Sequence, residues 1–136
     1  GLAQVSRSDD LVLDAEHPHA WFGRRTRDVH DIWHILTGYR ADDPLGEACL
    51  VAFSFAQTRG LCWALIATGA ALNALRTPGG KSAVAAIIEG YRSGRRAAWL
   101  LGEEYEALLA EPLEDARSRL RIAPARAYRA FTPIGL

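Results

Sequence analysis

Methionine is absent from the 136 residues, and cysteine occurs only twice. Without an initiating Met, the chain is expected to begin at a cut or processed end. Cys49 and Cys62 are too few for a disulfide scaffold or a four-thiolate metal site. Both sit in apolar runs, read as small buried hydrophobes, and point to a reducing compartment. Net charge is missing too, because 16 Lys+Arg meet 16 Asp+Glu. That argues against a strongly basic fold built to coat nucleic acid while leaving room for a local basic patch, and no nucleic-acid partner is expected. The opening GLAQVSRSDD has neither the basic segment nor the apolar core of a secretory signal. The longest apolar stretch, 61–75, is shorter than the roughly 18–20 residues that cross a bilayer, so it predicts a buried or interfacial helix. Strand-like alternation is nearly absent, with 10–14 the one short candidate. With no internal repeat, low-complexity tract or long linker, 1–136 reads as a single domain.

What is present is helical. Hydrophobic residues make up 49% and charged residues 24%, a globular balance. Helix formers dominate after the first segment. A first helix is predicted over 18–37, ended by Gly38, with Phe22, Val29, Ile32, Trp33 and Leu36 near a helical repeat. Asp43 is placed to N-cap a second helix that Pro44 opens and that runs to about Thr58. Gly60 separates it from a third, very apolar helix over 61–76, most of whose circumference should be buried. Thr77, Pro78, Gly79 and Gly80 make a turn. A fourth helix follows over 81–93, then a connector at Gly94-Arg95-Arg96. A short piece over 103–109 and a last helix from Pro112 to about Arg121 complete the pattern, with an irregular tail from Ala123. The sum is an all-α, single compact helical bundle of five or six helices.

The chemistry-bearing cluster is His30-Asp31-Ile32-Trp33-His34, with Glu47 downstream. His30 and His34 stand four apart, one above the other on a helix face. Asp31 and His34 form an i,i+3 pair on the same side. Glu47 falls near the start of the next helix, and an antiparallel pair would return it to the imidazoles. Two nitrogens with one or two carboxylates suit a mononuclear divalent-metal site with open positions. A plain polar helix face is the competing reading, and Asp31 could orient a His without ligating. Asp28, Asp42 and Asp43 are explained by capping and solvation. His30-Asp31 resembles the HD phosphohydrolases, but His17 and His19 are too near for the upstream ligand, and Asp115 is the one late Asp. The acid-x-x-His of di-iron bundles lacks a second copy here.

The run Arg25-Thr26-Arg27-Asp28-Val29-His30-Asp31-Ile32-Trp33-His34-Ile35-Leu36-Thr37-Gly38, then Leu45-Gly46-Glu47, resembles the coenzyme Q (ubiquinone) biosynthesis protein 4 family. That family carries HDxxH with a Glu about a dozen residues later. Phe55-Ala56-Gln57-Thr58, Ser93-Gly94-Arg95-Arg96-Ala97 and Gly102-Glu103-Glu104-Tyr105-Glu106 agree as well. The similarity covers residues 14–122. Most of the family's further N-terminal helical region is expected to be missing. The resemblance implies a helical, membrane-peripheral protein that binds a polyprenylated ring lipid and partners other ubiquinone-biosynthesis proteins. It implies removal of the ring's C1 carboxylate, in an oxidative or non-oxidative form. The metal residues map onto His30, Asp31, His34 and Glu47, with zinc the usual ion. It also implies a place on the cytoplasmic side of a bacterial membrane, or on the matrix side of a mitochondrial one. A homodimer stays open.

Decarboxylation of an aromatic ring needs its developing charge stabilised, a task for a Lewis-acidic ion. Asp31 and Glu47 are the candidate proton carriers. Zinc has no redox role, so an oxidative reaction would call for iron, cobalt or manganese, or an external oxidant. Leu61, Trp63, Leu65, Ile66, Leu72 and Leu75, with Leu50, Phe53 and Phe55, could line a groove for the lipid tail. Ala67, Gly69, Ala70 and Ala71 would leave room between helices. The competing reading is ordinary core. Arg95 and Arg96, beside Trp99, are the candidate contacts for a substrate carboxylate or an anionic headgroup. A non-catalytic lipid-binding scaffold with a structural metal is the alternative function.

Overall fold

The computed structural model describes residues 18–131, and the side chains from residue 24 onward except that of Thr26. The strand candidate at 10–14 and His17 lie outside the described residues, as do the side chains of His19 and Phe22. The described residues form seven α-helices: α1 Pro18–Thr37, α2 Pro44–Thr58, α3 Leu61–Ala74, α4 Gly80–Arg96, α5 Tyr105–Leu109, α6 Leu113–Arg119 and α7 Arg126–Phe131. A single 3₁₀ turn, Leu100–Gly102, precedes α5. No strand occurs among them, and the all-α expectation holds.

The end of α1 and the start of α2 fall where their punctuation says. Gly38 takes φ +80°, a left-handed conformation that stops α1 with little strain. The Asp43 side chain accepts the Leu45 N–H at 3.2 Å, and Pro44 occupies the first turn of α2. Arg117 donates to the carbonyls of Leu36 (2.8 Å) and Ile35 (2.9 Å), so a guanidinium satisfies two otherwise orphaned groups at the end of α1.

The core is built around α2. Cys49, Leu50 and Phe53 are wholly buried, and the other core positions of this helix are nearly so. It packs chiefly on α4, with α3 on a further side. The α2–α4 approach is close because α4 presents Gly90 and Gly94. A Cβ at Gly90 would stand 2.6 Å from the Cys49 carbonyl oxygen, and one at Gly94 would stand 2.5 Å from that of Phe53. Gln57 closes this packing: it donates to the Gly94 carbonyl (2.8 Å) and accepts from the Leu100 N–H (3.0 Å). Against α1, Trp33 donates its indole N–H to the Tyr105 hydroxyl at 2.9 Å, which in turn donates to the Leu100 carbonyl at 2.6 Å.

Several expectations are corrected. The third helix buries none of its residues; Leu61, Leu65 and Leu72 are 79%, 74% and 59% exposed. It touches α2 and α4 along an alanine side (Ala67, Ala70, Ala71), and nothing among the described residues covers the remainder. Cys62 is therefore exposed on its first turn, whereas Cys49 is buried as expected and burial pushes its thiol up to about 12. The fourth helix does not stop at Ser93. It continues through Gly94 to Arg96, because the missing Cβ at Gly94 serves close packing and not chain reversal. The tail beyond Ala123 forms α7, held by the Glu89 carboxylate on the Ala127 N–H and by Tyr128, whose hydroxyl donates to Asp43 at 2.7 Å. These are distant partners that local sequence does not reveal.

Candidate metal centre

The turn between α1 and α2 brings His30, His34 and Glu47 together. It is tight: a Cβ at Gly46 would stand 2.2 Å from the Arg40 carbonyl oxygen, so glycine lets the start of α2 lie against the connector. Glu47, next along, then projects from the first turn of α2 toward the last two turns of α1. The helix dipole there favours a carboxylate.

His34 is the buried member, with its side chain 7% exposed. Its Nδ1 lies 2.9 Å from the Tyr39 carbonyl oxygen. A carbonyl only accepts, so Nδ1 carries a proton, and in the neutral tautomer this leaves Nε2 as the ring's lone pair. That Nε2 is shut off from solvent, makes no hydrogen bond, and stands 3.0 Å from Glu47 Oε1. A lone pair facing a carboxylate at that distance needs positive charge, supplied by a proton or a cation. His30 Nε2 lies 3.9 Å from Glu47 Oε2, and the two imidazoles meet edge to face at 4.8 Å. Burial, then the neighbouring His34, holds His30 below its ordinary value against the opposing pull of Glu47 and Asp31. At neutral pH its ring is uncharged and able to ligate.

One donor atom from each of the three residues falls within 4.8 Å of the others. A shared ion with bonds of about 2.0–2.2 Å sets its donors roughly 3.0–3.5 Å apart. Two imidazoles and a carboxylate are a donor set for zinc and for other first-row divalent ions. The orphaned His34 Nε2, and the backbone carbonyl that fixes the opposite ring nitrogen, are the features such sites use. The residues therefore fit a divalent cation. The side chains of Glu47 and His30 are 41% and 24% exposed, so the cluster opens to solvent on one side.

Asp31 is exposed and lies outside this three-residue group. Arg95 and Arg96 occupy the exposed last turn of α4. Arg95 reaches the Tyr91 hydroxyl at 3.4 Å, and Arg96 lines a cavity facing α7. Sequence reasoning missed Tyr39 and Gly46 as positioning residues. Tyr39 acts through its backbone, which residue type does not signal; Gly46 sat beside Glu47 with nothing to mark the close approach.

Residues 10–126 match the family described as Coenzyme Q (ubiquinone) biosynthesis protein Coq4. The chain belongs to that family. Over 128 residues, 93% of its length, this Coq4 family member is 30% identical to the ubiquinone biosynthesis protein COQ4 homolog, mitochondrial, of Nematostella vectensis. It spans 61% of that relative's length. No solved structure matches it. The matched region of this Coq4 family member contains the His–His–Glu cluster. No helix among the described residues is long and apolar enough to cross a membrane.

Proposed function

We propose that the chain binds a polyprenylated benzoate lipid at a divalent-metal centre held by His30, His34 and Glu47, and removes the C1 carboxylate of the ring. The observation that carries this reading is the buried, unbonded Nε2 of His34 facing Glu47 at 3.0 Å. Zinc is the expected ion; iron, cobalt or manganese would suit an oxidative form. A divalent ion bound there supplies Lewis acidity that stabilises negative charge on the ring as CO₂ leaves.

The protein's own groups do the rest. His34, held by Tyr39, keeps one lone pair aimed into the centre. Glu47, partly exposed, offers a carboxylate at the mouth that can hold a proton for the ring carbon. Asp31, exposed beside His30, is a second carrier or a further ligand.

An apolar groove of about 340 Å³ between α2, α3 and α4 suits the tail; Phe55, Ala71, Leu72, Ile87 and Tyr91 are among its walls. Of the tail-groove candidates, Leu50 and Phe53 prove to be core, while Phe55, Ala67, Ala71, Leu72 and Leu75 reach the groove. Arg95, over Tyr91 at the groove wall, is placed to meet a carboxylate or headgroup.

The uncovered face of α3 supports a membrane surface as the place of work. No charge interrupts residues 60–75, and exposed Arg59, Arg76 and Lys81 flank them. An apolar helix with cationic ends suits an anionic bilayer interface. Other ubiquinone-biosynthesis proteins are the expected partners there.

The open side of the cluster favours catalysis over a scaffold with a closed structural metal. The test is release of CO₂ from a polyprenylated hydroxybenzoate in detergent. Wild type is expected to turn over, and Glu47→Gln to lose about 100-fold or more while still binding the lipid. Equal lipid binding with no turnover by either chain would favour the scaffold.

A further inference from the structure

A second concave site lies on the other side of α4. Arg92 and Arg96, one turn apart, and Arg126 at the start of α7 line a cavity of about 480 Å³, together with Tyr39, Ser93 and Glu89. The lining carries three guanidiniums and one carboxylate. That carboxylate is already engaged, accepting the Ala127 N–H at 2.9 Å. Arg40, Arg117 and Arg119 each pair with an acid, whereas Arg92, Arg96 and Arg126 form no ion pair among the described residues. The chain as a whole is neutral, so this gathering is not a by-product of basic composition.

Like charges held around one hollow repel until a counter-charge enters. Two uncompensated positive charges match a dianion, and guanidinium forks match phosphate oxygens. Ser93, buried between the two arginines of α4, adds a hydroxyl. We propose that this cavity binds a phosphate monoester or diphosphate, free or as a lipid headgroup. The volume exceeds that of one phosphate group, so the ligand carries a further organic part. The site is separate from the metal centre and does not depend on the reading given above for that centre.

The test is calorimetric titration of the 136-residue chain with inorganic phosphate and with pyrophosphate. Arg92→Gln combined with Arg126→Gln is expected to weaken pyrophosphate at least about tenfold, with an unchanged melting curve. His34→Ala, which removes a donor from the other site, is expected to bind as wild type does. Absence of binding by wild type, affinity unchanged in the arginine variant, or affinity lost in His34→Ala would each overturn the proposal. Phosphatidylcholine vesicles containing phosphatidic acid separate the two sources. If the same substitutions release the vesicles and pyrophosphate competes, the ligand is a headgroup; if vesicle binding persists while pyrophosphate binding falls, it is a soluble phosphate.

Discussion

Helices α2 and α3 adjoin in sequence, are 15 and 14 residues long, and carry one charged side chain between them, Glu47. One is the centre of the core and the other lies open. The difference is in what faces them. Helix α2 meets the glycine-bearing side of α4, the end of α1 and the alanine side of α3, so almost every position finds a partner. Among the described residues, helix α3 has partners along its alanine side alone. Apolar composition predicts that a helix seeks cover; it does not predict that the cover lies within the same chain.

The contrast is sharpest for large side chains. Phe53→Ala on α2 should cost about 3–5 kcal/mol by leaving a cavity in a fully buried site. Leu65→Ala on α3 should cost less than about 0.5 kcal/mol, as an exposed substitution. Denaturant unfolding of the two variants measures both, and comparable losses would mean that α3 is covered in solution. Glycine gives a second version. Gly90→Ala should cost about 2–3 kcal/mol, because its Cβ collides with backbone. Gly69→Ala, with nothing within 4 Å, should stabilise by up to about 1 kcal/mol through helix propensity alone. A thermal melt that moves the same way for both would break the comparison. The smallest stability effect is expected from Leu61→Ser with Leu65→Ser. The midpoint should move by no more than about 2 °C, while co-sedimentation with anionic vesicles falls sharply. Unchanged sedimentation would remove α3 from the membrane reading.

Much of the fold was legible because its punctuation is local. Gly38, Asp43 and Pro44 set their boundaries by their own backbone and side-chain chemistry, and the structure keeps all three. The errors arose where one residue type serves two purposes. Gly94 read as a break because glycine commonly is one, yet here its missing Cβ admits the α2 backbone. Helix α7 depends on Glu89 and Asp43, far away in sequence, and nothing in residues 123–131 announces them. At the site, the i,i+4 histidines and the returning Glu47 were readable from spacing. Asp31 shares their stretch of sequence but lies outside the cluster, because a residue one step along a helix turns about 100° away. The Tyr39 carbonyl that sets the His34 tautomer is backbone and was invisible before folding.

The most direct measurement is the metal content of the purified chain after saturation with zinc and removal of excess. About one ion per chain is expected for wild type, with His34→Ala and Glu47→Gln nearly empty and all three folded by circular dichroism. Equal metal in the three proteins would contradict a centre built on His30, His34 and Glu47.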